Sequence, residues 1–185
     1  MSADSAQPQA LRLIASARYG IAIVLAVFSL YTAFVGVFSD MLQRSFHLGL
    51  VIFLIFTAHG TWTRDGARWH KKVVETVLVI VGVGVLLYHV VFFDEVAGRW
   101  GELTDLEYWL GSLCVVTLLE ATRRSIGWPI VILALIFLAY AFIGPYLPGL
   151  LFHRGYSLER VIGHLYLGGS GIFGTPLGVS ATFVI

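Results

Sequence analysis

Uninterrupted apolar runs of about the length that crosses a bilayer constrain this chain more than any other feature. A helix needs about 20 predominantly apolar residues to cross the roughly 30 Å hydrocarbon layer. Five segments meet or approach that length: 19–38, 46–62, 73–93, 105–122 and 128–147. None shows the polar stripe of a helix half-exposed to water, and only helices or closed barrels satisfy their backbone groups in lipid. Runs this long exclude barrel strands. The composition follows from the runs: 58% of the 185 residues are hydrophobic and 12% are charged, where an average soluble domain carries about 25% charged residues. The reading is an all-α integral membrane bundle of about five full transmembrane helices, followed by an interfacial helix and a truncated sixth span.

Aromatic and charged residues mark the ends of these runs. Trp62, Trp69, Trp100, Trp109 and Trp128 fall at or near the boundaries, where an indole keeps its ring in the interface and its N–H in water. Arg12 and Arg18 precede the first run, Arg64, Arg68, Lys71 and Lys72 follow the second, and Arg123 and Arg124 follow the fourth. Asp94, Glu95, Glu102, Asp105 and Glu107 make the connection after the third run acidic. By the positive-inside rule, this pattern places the N-terminus in the cytoplasm and the acidic connection outside. Residues 1–18 then form a cytoplasmic tail. The orientation after residue 124 is less determined, because Arg154 and Arg160 fall outside if the fifth run spans.

Beyond residue 144 the pattern changes. Gly144, Pro145, Pro148 and Gly149 end the fifth helix and begin an irregular connection. From Ser157, a plausible cap, Leu158, Val161, Ile162 and Leu165 share a face, as suits a helix lying along the membrane. A last apolar run begins at Ile172 and reaches Ile185 after about fourteen residues, too short to span. The expectation is that the sequence is the N-terminal portion of a longer protein.

Residues able to carry chemistry are few. Phosphate-cradling loops and paired catalytic carboxylates are absent, and the glycines at 168, 169 and 171 lack the Lys-Ser/Thr of a phosphate loop. No enzyme, ATPase or catalytic residue is read here, and a net charge of +1 gives no reason to expect nucleic acid as a partner. Cys114 stands alone in an apolar run and is read as buried. Gly82 and Gly84 are read as sites of close helix contact rather than as a hinge.

Glu75 and Glu120 are the acidic groups within or just inside the spans, and such groups are functional candidates by default. Glu120 has Arg123 and Arg124 three and four residues on, which places all three side by side on a helix and favours a structural ion pair. Glu75 can reach the basic connection beside it. His47 and His89 lie near the outer ends of their helices and His59 near an inner end. Two histidines at one depth could ligate haem b from both sides, so a haem-bearing membrane anchor of a respiratory complex is the alternative reading. Histidines near helix ends more often sit in the interface or bond to a neighbouring helix. No metal site is assigned.

From the fourth run onward the text is specific: Leu118-Leu-Glu-Ala-Thr-Arg-Arg124, Gly127-Trp-Pro129, Gly144-Pro-Tyr-Leu-Pro-Gly149, His153-Arg-Gly-Tyr-Ser157 and Gly171-Ile-Phe-Gly-Thr-Pro-Leu-Gly-Val-Ser-Ala-Thr182. Together with Tyr140 and Arg44-Ser-Phe-His-Leu48, these resemble the fused permeases of tripartite ATP-independent periplasmic (TRAP) transporters of the TAXI type. The resemblance implies a four-helix small-subunit-like (Q) domain over residues 19–124 and the start of a large (M) subunit over 125–185. It implies a multi-pass protein of the bacterial inner membrane that imports an organic acid or amino acid. The driving force would be a cation gradient, usually sodium, and the partners a periplasmic binding protein and the remainder of the large subunit. Substrate and coupling-cation sites would lie beyond Ile185, so none is assigned to this sequence, and residues 1–185 alone are expected not to transport. Helices one to four would be the fixed scaffold. Asp94, Glu95, Glu102 and Asp105, together with a turn at Asp40 to Arg44, would be candidate surfaces for the binding protein.

Overall fold

The structure, a computed structural model, describes residues 9–35, 39–59, 69–99 and 102–183. Every regular element among them is helical: α1 Gln9–Val35, α2 Asp40–Ala58, α3 Trp69–Val91, α4 Phe93–Gly98, α5 Asp105–Ser125, α6 Trp128–Ile143, α7 Leu158–Tyr166 and α8 Thr175–Phe183, with short 3-10 turns at Gly144–Tyr146 and Gly149–Leu151. The chain is a helical membrane bundle. Among the described residues, four helices are long and apolar enough to cross a bilayer, with windows at Ala15–Thr32, Met41–Ala58, Lys72–Val91 and Trp128–Tyr146.

The fourth expected span, α5, matches the others in length at 21 residues but differs in character. Asp105 and Glu107 occupy its first turn and Arg123 and Arg124 its last, which shortens its apolar centre. It is instead the hub of the bundle, packed by α2, α3, α6 and α7. Acidic residues at its start and basic residues at its end also complement the helix dipole.

Helix ends depart from the sequence expectations where local chemistry continues the helix. α1 already runs from Gln9, so the expected tail is helical over much of its length. α2 starts at Asp40, so the expected Asp40-to-Arg44 turn is the first turn of a helix. Trp69, Trp109 and Trp128 sit at or near the starts of α3, α5 and α6, all exposed, as an interfacial belt requires; Trp62 and Trp100 lie outside the described residues.

Glycines allow the tight approaches. A Cβ on Gly82 would stand 2.7 Å from Ile52 Cγ2 of α2 and 3.5 Å from Thr117 Cγ2 of α5, whereas one on Gly84 would meet open space. Of the two expected contact glycines, only Gly82 is at an interface. Gly127, at φ 110°, turns the chain from α5 into α6, a conformation that L side chains rarely adopt.

The core is built from Leu48, Ile52 and Phe56 of α2, Val85 of α3, Cys114 and Ala121 of α5, with Tyr166 and Phe173 from the segment after α6. α6 itself stays largely bare, with Val131 its only buried residue. Two differences follow from this packing. α7 does not simply lie along a membrane surface: Ile162 and Tyr166 are buried against Gly111 of α5, where an added Cβ would stand 2.7 Å from Ile162 and 3.0 Å from Tyr166. The last apolar run forms α8, which packs beside α1 and α2.

Candidate functional site

Two polar assemblies stand at opposite ends of α5. At its C-terminal end, the i, i+3, i+4 spacing brings Glu120 between Arg123 and Arg124. Arg123 donates through Nε and Nη2 to the two Glu120 oxygens, each at 2.7 Å, and Arg124 Nε reaches Glu120 Oε1 at 2.7 Å. Arg124 Nη1 also donates to Glu75 Oε1 of α3 at 2.7 Å, and its guanidinium lies 4.9 Å from the centre of the Phe56 ring of α2. One arginine thus ties three helices. The Glu75 side chain is 2% exposed and that of Arg124 13%, while that of Arg123 is 37% exposed. Arg123 turns outward over the Trp128 ring at 5.6 Å. Glu75 meets its cation from α5, and the basic residues 64 and 68 that the sequence placed beside it lie outside the described residues. Both Glu120 oxygens and Glu75 Oε1 face a guanidinium, an arrangement that clamps helices together.

At the N-terminal end of α5, Thr104 caps the helix. Its Oγ1 accepts from the Glu107 amide at 3.3 Å while the Thr104 amide donates to Glu107 Oε2 at 2.8 Å, the reciprocal pair of a capping box. Glu107 is 1% exposed and its other oxygen accepts from Tyr88 Oη at 3.1 Å and Arg99 Nη2 at 3.2 Å. The Thr-x-x-Glu spacing was legible in the sequence as a capping signature; its joining of α3 to α5 was not. Of the acidic residues read as docking candidates, Glu95, Glu102 and Asp105 are exposed, and the side chain of Asp94 lies outside the described set.

Beside this network opens a polar cavity of about 1330 Å³, whose walls include Arg44, His89, Arg99, Asp105, Arg160 and His164. Arg44 Nη1 donates to the Phe173 carbonyl at 2.7 Å and Gln43 Nε2 to the Ala181 carbonyl at 3.1 Å, so the Asp40-to-Arg44 stretch holds α8 in place instead of presenting a free turn.

The histidines go to separate surroundings. His47 is buried and its Nε2 lies 3.4 Å from Ser180 Oγ of α8. His89 is 1% exposed, with the Tyr166 ring edge-on at 4.5 Å and the Phe173 ring at 4.8 Å. Neither of its ring nitrogens has a hydrogen-bond partner of good geometry among the described residues, although the backbones of Val85 and Tyr166 lie beside it. Aromatic rings thus flank His89 on two sides, while His47 turns to α8. His59 is exposed at the end of α2. No group of three or more His, Cys, Asp or Glu side chains is placed to hold a metal among the described residues. Burial pushes the Tyr166 phenol well above the ordinary tyrosine range, so it remains a neutral donor, with Oη 3.4 Å from the Val85 carbonyl.

Compared with known proteins, the chain matches no family model, no curated protein and no solved structure.

Proposed function

We propose that this chain is the scaffold portion of a membrane permease in a secondary active, binding-protein-dependent transporter of the TRAP type, TAXI class, importing an organic acid or amino acid with a cation gradient. One observation carries the reading: the segment resembling the start of a large subunit is seated on the segment resembling a small one. Gln43, Arg44 and His47 of α2 engage Ala181, Phe173 and Ser180, and Tyr166 engages Val85. A moving element needs a fixed partner in transporters of this sort, and the Glu75–Arg124–Glu120 clamp makes α3 and α5 suited to be that partner. The protein sits in the bacterial inner membrane with the N-terminus in the cytoplasm. The exposed Glu95, Glu102 and Asp105 face the periplasm as the docking surface.

Deletion of the gene should abolish binding-protein-dependent uptake of a labelled organic acid or amino acid, and the wild-type gene should restore it. A variant with all three of Glu95, Glu102 and Asp105 reversed to Lys should restore less uptake, with a changed salt dependence. Unaltered uptake in the deletion strain across such a panel refutes transport, and full rescue by the triple variant refutes docking there. For orientation, Asp105→Cys should react with an impermeant maleimide on intact spheroplasts and Ser125→Cys only after permeabilisation; the reverse overturns the topology.

A further inference from the structure

α6 leans on α5 near Val131 and otherwise leaves an apolar groove of about 680 Å³ between the two helices. Leu118 and Leu119 of α5 and Ala134, Phe137 and Leu138 of α6 form its walls. Across its upper end lies α7, and the spacing on that helix is informative. Val161 and Leu165, four residues apart, continue the apolar wall, while Arg160 and His164, also four apart, stand beside them. Ile162 and Tyr166 face away into the bundle. Arg160 and His164 line both this groove and the polar cavity next to it. One cation and one imidazole therefore mark the point where the apolar slot meets the cavity lined by charged side chains.

Arg160 is held there without a carboxylate. Its guanidinium lies 5.6 Å from the centre of the Tyr156 ring, itself part of the groove, and it forms no ion pair with any described residue. The acidic residues nearby are Glu159 and Asp105, which line the polar cavity and not the groove. An occupant must match an apolar slot opening onto a cationic rim. A free organic anion has no use for the slot, and a neutral chain has no use for the rim.

We propose that this groove binds one anionic glycerophospholipid, with an acyl chain between α5 and α6 and the phosphate against Arg160 and His164. Basic pockets between transmembrane helices take lipid headgroups in this manner. The bound lipid fills the wedge that leaves α6 bare and couples α6 and α7 to α5. The inference rests on the groove and its rim alone and stands whether or not the protein transports.

Native mass spectrometry of the full chain in detergent tests it, with added phosphatidylglycerol, phosphatidylcholine or inorganic phosphate. Phosphatidylglycerol should be retained and should raise the melting temperature, and the other two should do neither. Arg160→Gln should weaken phosphatidylglycerol retention about fivefold, the effect of one interfacial cation on an anionic lipid, and Arg160→Lys should largely preserve it. Ala134→Trp, which fills the slot and leaves the rim, should also abolish retention. Equal stabilisation by inorganic phosphate, equal retention of phosphatidylcholine, or retention indifferent to both Arg160→Gln and Ala134→Trp overturns the proposal.

Discussion

Arg124→Gln is the most informative single change in this protein. The substitution removes the 2.7 Å contacts to Glu75 and Glu120 and the cation over Phe56. Glu120 keeps Arg123, bonded through both of its oxygens. Glu75, with its side chain 2% exposed, loses the cation that the clamp supplied. Breaking a buried pair by deleting one partner costs about 3–5 kcal/mol, and the 13% exposure of Arg124 argues for the lower end, about 3 kcal/mol. For a chain of this size, each kcal/mol lowers the melting temperature by roughly 2–4 °C, so a fall of about 6–12 °C is expected. Arg123→Gln provides the control. That side chain is 37% exposed, an ion pair of that kind contributes about 0–1 kcal/mol, and its loss should shift melting by roughly 0–4 °C. The double variant Glu75→Gln with Arg124→Gln removes both buried charges and should recover about 2 kcal/mol of the single-variant loss. Differential scanning fluorimetry in one detergent measures all four proteins. Equal losses for Arg123→Gln and Arg124→Gln, or no recovery in the double variant, would refute the view that one half-buried arginine clamps α3 to α5.

Three other expectations concern packing and caps. Gly111→Leu should lift α7 from α5, destabilising by about 1–3 kcal/mol as overpacking does and exposing Arg154 and Arg160 to faster tryptic cleavage; Gly84→Leu, which meets open space, should change neither, and equal effects would contradict the interface assignment. Thr104→Ala removes the hydroxyl that caps α5 and should lower stability by about 1 kcal/mol, read as a loss of roughly 2–4 °C in melting, with Thr104→Ser restoring it. Cys114, 2% exposed in the core, should react with a small maleimide only on unfolding, and rapid alkylation of the folded protein in detergent would show that the core does not close around α5.

Much of this architecture follows from the sequence by itself. A run of twenty apolar residues has one stable conformation in lipid, because each backbone N–H and C=O must find its partner inside the segment, and so four of the five expected spans were legible from length and hydropathy. Groups on one helix were legible too: Glu120 with Arg123 and Arg124, and Ser157 as the cap that accepts from the Arg160 amide. These depend on spacings of three and four residues, which the helix itself supplies.

The tertiary structure alone decided which helices meet. A helix that is apolar on every face carries no stripe to show its packed side, so partner choice falls to small residues and scattered polar groups. Gly82 and Gly84 look alike in sequence, yet only Gly82 meets a neighbour. Gly111 is an unremarkable residue until Ile162 and Tyr166 close over it. Glu75 finds Arg124 across 49 residues, and Arg44 finds the Phe173 carbonyl across 129. The first of those pairings ties α5 to α3 and the second ties α2 to the segment before α8, because a charged group held away from water needs a partner of its own.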